Sequence, residues 1–364
     1  MLNVGFILLA FLLSLASMPI IIKICQKHNL YDYHDQRKIH SGDIPRLGGI
    51  GIFIAFFVCA IAFLLVNKNV STTKSLPILI SALIVFLFAM LDDVFTFPAL
   101  VKLLVQLAAT AIVTFNGYRF TQIFGWQLPT VIGHILTFGW VLGLINAYNL
   151  IDGLDGLCGT LSSTAVITLG VIYTLSGNAE GYLCFILAAA ILGFICFNWP
   201  PAKIFMGDCG SQFLGFMIAI IPLYSSSDIF EYNKFLIMIV LTAFPVFDTI
   251  AAIWRRLRDH VPIMSPDKAH LHHKLLNMGY SGKQALYLVA TLQIILCGSC
   301  VLSYFMGKGK GTAELALSVA FMIWIFAVLH YTNRRINRDR KLKELEAKKN
   351  ADQAETVSKP VKNN

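Results

Sequence analysis

The chain has 364 residues, 57% of them hydrophobic and only 13% charged, with a formal net charge of +9 and a mean hydropathy of +0.69. Soluble domains carry about 25% charged residues, so this composition excludes a soluble globular protein. The positive charge then bears on membrane topology and anionic lipid headgroups, not on nucleic acid.

Eleven apolar runs follow one another along the chain, near 2–22, 48–66, 76–91, 100–116, 130–148, 157–175, 181–198, 211–225, 235–254, 284–306 and 313–331. Each approaches the roughly 20 residues that cross a bilayer as a helix. The expected fold is all-α: a polytopic membrane protein of about 11 transmembrane helices in one domain, 1–333, with a basic, disordered cytoplasmic tail over 334–364. The first run has no convincing small-residue cleavage site and reads as a retained helix. Most of the eight cysteines fall inside apolar runs, where Cys acts as a small hydrophobe. The Cys297–Cys300 spacing lacks a second pair and suggests neither a metal site nor a disulfide framework.

The loops form two alternating sets. One carries Lys23, Lys27, Arg37, Lys38, Arg46, Lys102, Lys203, Arg255, Arg256, Arg258, Lys268, Lys274, Lys283 and the tail; the other carries Lys68, Lys74, Arg119, Lys234, Lys308 and Lys310. The positive-inside rule makes the first set cytoplasmic, with the N-terminus outside and the C-terminus inside. The polar motifs all fall with the first set, and the opposite loops, such as 177–181 and 307–311, are short. A transporter for an anionic solute would place polar groups near the midplane and on both sides. One-sided polarity favours an enzyme that meets a cytoplasmic solute at the membrane surface.

Asp92 and Asp93 end an apolar run. Adjacent carboxylates repel unless a cation relieves them, and a helix C-terminus disfavours them further. They point either to Mg²⁺ or a basic partner, or to a solvated pair that stops the helix. Lys102 and Gln106 share a face of the next helix at i, i+4, and Lys102 is either a snorkelling interface residue or a phosphate ligand. Asn149, Asp152 and Asp155 recur every three residues in Asn149-Leu150-Ile151-Asp152-Gly153-Leu154-Asp155-Gly156-Leu157. In a helical turn they would share one side and offer hard oxygens suited to Mg²⁺; the plainer reading is an Asp/Gly turn. Asp208, between Gly207 and Gly210, is either a helix N-cap or a cation ligand. His270, His272 and His273, with Lys268 and Lys274, suit phosphate better than zinc.

Leu91-Asp92-Asp93, the Asn149–Leu157 stretch, the segment from Asn198 through Phe205-Met206-Gly207-Asp208, and Ser265-Pro266-Asp267 with His270, His272 and His273 occur in that order. Together, from about Asp35 to Gln284, they resemble the polyprenyl-phosphate N-acetylhexosamine-1-phosphate transferases. They are most similar to the bacterial members that transfer N-acetylglucosamine-1-phosphate to undecaprenyl phosphate. Where the muramoyl-pentapeptide enzymes carry a Thr-Pro-Thr-Met-Gly-Gly stretch, this chain has Ile44-Pro45-Arg46-Leu47-Gly48-Gly49.

The resemblance implies UDP-GlcNAc and undecaprenyl phosphate as substrates, UMP as product, and Mg²⁺, with Mn²⁺ as an alternative, as cofactor. It places the site at the cytoplasmic face of a bacterial inner membrane, with membrane lipid as a partner, no nucleic acid, and a homodimer as one open assembly. Asp208 and Asn149 match metal ligands. Asp155, Asn198 and Phe205 match a uridine pocket, Lys102 a phosphate contact, and His270, His272 and His273 a loop closing over the diphosphate and sugar. Asp92 and Asp93 match a pair assigned to metal binding or to the lipid phosphate, and Asp152 a site position of undefined role. Another UDP-N-acetylhexosamine or the muramoyl-pentapeptide donor would keep the same chemistry.

Overall fold

The computed structural model describes residues 2–31, 44–224, 228–262 and 270–358. Asp35, Arg37, Lys38, Ser265, Pro266, Asp267 and Lys268 lie outside them. The helices are α1 (Leu2–Lys27), α2 (Gly49–Val66), α3 (Thr72–Phe95), α4 (Ala99–Phe115), α5 (Thr130–Ile151), α6 (Leu157–Leu175), α7 (Gly181–Asn198), α8 (Gly207–Ile220), α9 (Asp228–Leu241), α10 (Ala243–Arg258), α11 (Leu271–Asn277) and α12 (Gly282–Ser358). The sheet among the described residues is one hairpin, β1 (Gln122–Ile123) and β2 (Trp126–Gln127), with Ile123 opposite Trp126. Among the described residues seven helices are long and apolar enough to cross a membrane, or eight if α9 and α10 form one span, and α4 and α8 are shorter apolar helices. The protein is an all-α polytopic membrane protein.

Helix α8 stands at the centre, packed against α2, α3 and α5. Every residue from Cys209 to Ile220 is buried, as expected for a helix apolar on all sides. Lipid tails are as apolar as these side chains, so close packing holds the helices together rather than exclusion from water. Phe53 of α2, Phe86 of α3 and Phe213 of α8 interlock, the first two stacked with ring centroids 3.7 Å apart. At the end of the bundle Gly49 lies so close to Gly210 that a Cβ on Gly49 would sit 2.4 Å from the Gly210 Cα. Only glycine allows α2 and α8 to meet there.

Three elements depart from the expected runs. The run at 235–254 is two helices, with α9 and α10 bent by 67°. Pro245 lacks the N–H that would reach the Leu241 carbonyl, which kinks the helix and frees that acceptor. Gln293 of α12 supplies the missing donor, Nε2 to Leu241 O at 2.9 Å.

The expected loop at 307–311 is helical except at Gly307 (φ 78°, ψ −165°). Ser299 Oγ donates to Glu314 Oε1 at 2.6 Å and also pairs with Ser318 Oγ. Fifteen residues of straight helix would separate Ser299 and Glu314 by about 22 Å, so α12 is two antiparallel legs reversing at Gly307. The second leg continues into the tail as far as Ser358. Its run of Lys, Glu, Ala and Arg favours helix wherever packing does not decide.

Buried carbonyls without donors cost about 1–3 kcal/mol. Gln293→Leu should therefore lower stability by about that amount, read as a lower thermal unfolding midpoint in detergent. An unchanged midpoint would show that Leu241 O finds another donor.

Candidate active site

The first turn of a helix leaves its N–H groups without partners. At the start of α8 the partner is Asp93, from the end of α3: Oδ1 accepts from Asp208 N at 3.0 Å and Oδ2 from Cys209 N at 2.9 Å. A carboxylate at a helix N-terminus also meets the favourable end of the helix dipole. The cost of ending α3 in two carboxylates is thus offset for Asp93 by a second helix. Arg46 Nη2 donates to the Asp93 carbonyl oxygen, bringing residues 44–48 to the same point.

Asp92 turns the other way. Its Oδ1 accepts from Phe97 N at 2.8 Å, and its Oδ2 lies 2.5 Å from Lys102 Nζ of α4. Lys102 Nζ is also 3.9 Å from Asp208 Oδ2, and the Asp208 side chain is 37% exposed. Asn149, on the last turn of α5, lies beside Asp208 and donates through Nδ2 to Ser211 Oγ of the first turn of α8 at 3.1 Å. Four elements thus converge on Asp92, Lys102, Asn149 and Asp208. One ammonium lies among two carboxylates, and Asp208 presents hard oxygens to solvent.

Asn149, Asp152 and Asp155 do not share a helix face. Helix α5 ends at Ile151 with Asp152 as its C-cap, and Asp155 lies in the turn before α6. Asp155 Oδ2 accepts from Ala202 N at 2.9 Å. Asn198 accepts from Gly156 N at 2.9 Å and donates to Ile204 O at 2.8 Å. These two buried side chains lock the 152–156 turn to the 199–206 loop. Phe205 anchors that loop through its backbone, donating to Pro45 O at 2.7 Å and accepting from Gly48 N at 2.9 Å.

The histidines divide similarly. Asp248 of α10 receives His270 Nδ1 at 2.9 Å and Leu271 N at 2.9 Å, which fixes the start of α11. His272 is buried against the α5–α6 turn; a Cβ on Gly153 would sit 2.4 Å from its Cε1. Gly153 therefore admits one of the chain's own side chains. His273 packs on His272 with ring centroids 4.2 Å apart. Burial, reinforced by neighbouring His273, lowers the His272 pKa from 6.5 to about 3, so His272 is neutral at pH 7.

Asp248, Asn146 and Gln212 escaped the sequence reading. Asp248 sits inside an apolar run and is wholly buried, and an ionisable residue there is itself a signal. Gln212 donates to Asp208 Oδ2 at 3.4 Å, and Asn146 to Gln106 Oε1 at 3.0 Å; both carboxamides read as ordinary helix positions. Among the described residues no group of three His, Cys, Asp or Glu side chains is arranged to hold a metal ion. A magnesium ion needs fewer protein ligands when phosphates and water complete its shell. The Asp208 carboxylate and Asn149 carboxamide, beside Asp92, fit that donor set.

A family model described as glycosyl transferase family 4 matches residues 75–226. The chain is 34% identical over 339 residues to a "Probable undecaprenyl-phosphate N-acetylglucosaminyl 1-phosphate transferase" of Bacillus subtilis, covering 88% of this chain and 90% of that relative. It is 33% identical over 297 residues to an undecaprenyl-phosphate alpha-N-acetylglucosaminyl 1-phosphate transferase of Yersinia pestis, covering 79% and 80%. It is 29% identical over 332 residues to a decaprenyl-phosphate N-acetylglucosaminephosphotransferase of Mycolicibacterium smegmatis, covering 82% and 80%.

Asp93→Ala removes two bonds to backbone amides and should lower stability by about 1–3 kcal/mol, with Asp93→Asn intermediate, in thermal unfolding. His272 gives a separate, pH-dependent signature. The unfolded chain protonates this residue below pH 6.5 and the folded chain only near 3. Its contribution is therefore present above pH 6.5 and lost as pH falls towards 3. Between pH 7 and 4 the unfolding midpoint should fall more steeply for the native chain than for His272→Asn; equal slopes would place His272 in water.

Proposed function

The chain belongs to the polyprenyl-phosphate N-acetylhexosamine-1-phosphate transferases, and on that premise we propose that it moves N-acetylglucosamine-1-phosphate from UDP-GlcNAc to undecaprenyl phosphate, releasing UMP. The observation that carries this reading is the Asp92–Lys102–Asn149–Asp208 cluster at the end of an apolar bundle. There a lipid-held phosphate and a soluble diphosphate can meet without either leaving its own phase.

Phosphoryl transfer asks mainly for positioning and charge neutralisation. Lys102 is placed to contact a phosphate, since its ammonium already reaches two of the carboxylates. Asp208 and Asn149 would hold Mg²⁺, which supplies Lewis-acid neutralisation of the diphosphate when bound. A phosphate monoester has a second pKa of about 6, so the acceptor is largely dianionic near neutrality and needs no strong base. Both Asp92 oxygens are engaged, one with Lys102 and one with Phe97 N. That supports direct in-line attack by the lipid phosphate, with Asp92 orienting Lys102, over a route through a phosphorylated aspartate.

Asp155, Asn198 and the backbone of Phe205 hold the 152–156 and 199–206 loops, and on this reading they shape the uridine pocket. Asp93 secures Asp208 from behind. His270, tied to Asp248, positions α11 so that His272 faces the turn bearing Asp152, with His273 packed on it. Neutral His272 is suited to hydrogen-bonding the sugar or diphosphate.

We read the chain as crossing the membrane eleven times. The bent α9–α10 pair, the short α4 and α8, and the two legs of α12 support that count. The Lys and Arg distribution supports an outer N-terminus, an inner C-terminus and a site on the cytoplasmic face of a bacterial inner membrane.

Membranes containing the protein, undecaprenyl phosphate and Mg²⁺ should move label from radiolabelled UDP-GlcNAc into lipid with release of UMP. Added UMP should reverse the reaction and EDTA should stop it. Asp208→Ala should reduce the rate at least 100-fold at saturating Mg²⁺. Release of UDP would show transfer of the sugar without its phosphate and overturn the mechanism. Turnover only with the muramoyl-pentapeptide donor would overturn the choice of sugar.

A further inference from the structure

Three polar side chains lie one helical turn deeper in the bundle than three residues of the site. Gln106 follows Lys102 by four residues on α4, Gln212 follows Asp208 by four on α8, and Asn146 precedes Asn149 by three on α5. They touch one another in sequence. Asn146 Nδ2 donates to Gln106 Oε1 at 3.0 Å, Gln106 Nε2 donates to Gln212 Oε1 at 3.1 Å, and Gln212 Nε2 donates to Asp208 Oδ2 at 3.4 Å. Gln106 and Gln212 are buried, at 4% and 5% exposure.

The direction of this chain is set by its end. An ionised carboxylate only accepts hydrogen bonds, so Gln212 must turn its NH₂ towards Asp208. Its carbonyl then faces Gln106, which must present NH₂ in turn, and the same logic passes to Asn146. Asn146 also donates to the Leu142 carbonyl of its own helix at 2.8 Å, which holds its amide nitrogen inward. The three amide dipoles therefore align with their positive ends towards Asp208. Chains of hydrogen bonds in a low-dielectric interior polarise one another.

We propose that Asn146, Gln106 and Gln212 form a one-way carboxamide relay that orients the Asp208 carboxylate for its work. They are positioning residues: none reaches the cluster's solvent side, and their effect passes through Asp208 Oδ2. The relay holds Asp208 by its Oδ2. It also couples α4, α5 and α8, so that Lys102, Asn149 and Asp208 keep their mutual spacing. This inference rests on the reading of Asp208 as a cation ligand in phosphosugar transfer.

The test uses full-length protein in nanodiscs, with two readouts: Mn²⁺ binding followed by electron paramagnetic resonance, and transfer kinetics with UDP-GlcNAc. Gln212→Leu and Gln106→Leu should raise the half-saturating Mn²⁺ concentration and lower kcat, each about tenfold, with KM for UDP-GlcNAc within twofold. Asn146, at the exposed end of the relay, supplies variants that leave the core intact. Asn146→Ala shortens the relay and should cost about threefold in both readouts. Asn146→Asp puts an acceptor where a donor stood, turns Gln106 and Gln212 around, and should weaken Mn²⁺ binding more than Asn146→Ala does. A packing role predicts that Asp, nearly the shape of Asn, outperforms Ala, and a simple added charge predicts tighter cation binding; either result overturns the relay. Unchanged Mn²⁺ binding and kcat in folded Gln212→Leu also overturns it. Native protein that binds Mn²⁺ with the predicted variant pattern but transfers no phosphosugar would keep the relay and overturn the proposed reaction instead.

Discussion

The contact between the Asp93 carboxylate and the first amides of α8 is the constraint on which the rest of the site depends. Helix α8 is buried from Cys209 onward, and its first amides are met by a protein group. Asp93 meets them from α3, 115 residues away in the chain. That contact sets where α8 begins, and Asp208 is the second residue of α8. It also leaves Asp92 to face the opposite way, towards Lys102. The position of every charged group in the cluster follows from which of two adjacent aspartates caps the helix.

The same rule operates away from the site. In a bilayer an unpaired backbone group has no solvent to turn to, so each irregularity carries its own remedy. The carbonyl freed by Pro245 is met by Gln293, and the reversal of α12 at Gly307 is bridged by Ser299, Glu314 and Ser318. The carboxamides under the cluster satisfy one another in series. Gln293 and the three carboxamides do this without a charge, which suits the apolar surroundings, and all of these contacts hold bent or close-packed helices in one arrangement.

A division of labour emerges among residues of the same type. Asp93, Asp155 and Asp248 accept backbone or imidazole donors and are buried; they hold loops and helix ends. Asp92 is buried too and accepts Phe97 N, but its other oxygen pairs with Lys102, and Asp208 faces Lys102 from the opening of the bundle. Asn198 ties two loops, whereas Asn149 reaches Ser211 on the first turn of α8, beside Asp208. The residues best placed to touch a substrate are few, and most of the polar residues around them are support.

Composition and period alone determined that the chain lives in a membrane, that it is helical, and roughly where most helices run, because a bilayer demands long apolar segments with internally paired backbones. Residue type and order were also enough to mark Asp92, Lys102, Asn149 and Asp208. The sequence could not tell Asp92 from Asp93, or show that Asn149 and Asp155 serve different ends of a broken turn. The bend at Pro245 was hidden inside one continuous apolar run, and Asp248 and the carboxamides Asn146 and Gln212 passed as ordinary helix positions. Tertiary structure decided these because a hydrogen bond depends on where its partner lies in space. The spacing of residues along a chain encodes only the local period, and the partners of Asp93, Asn198 and His270 come from other helices and loops.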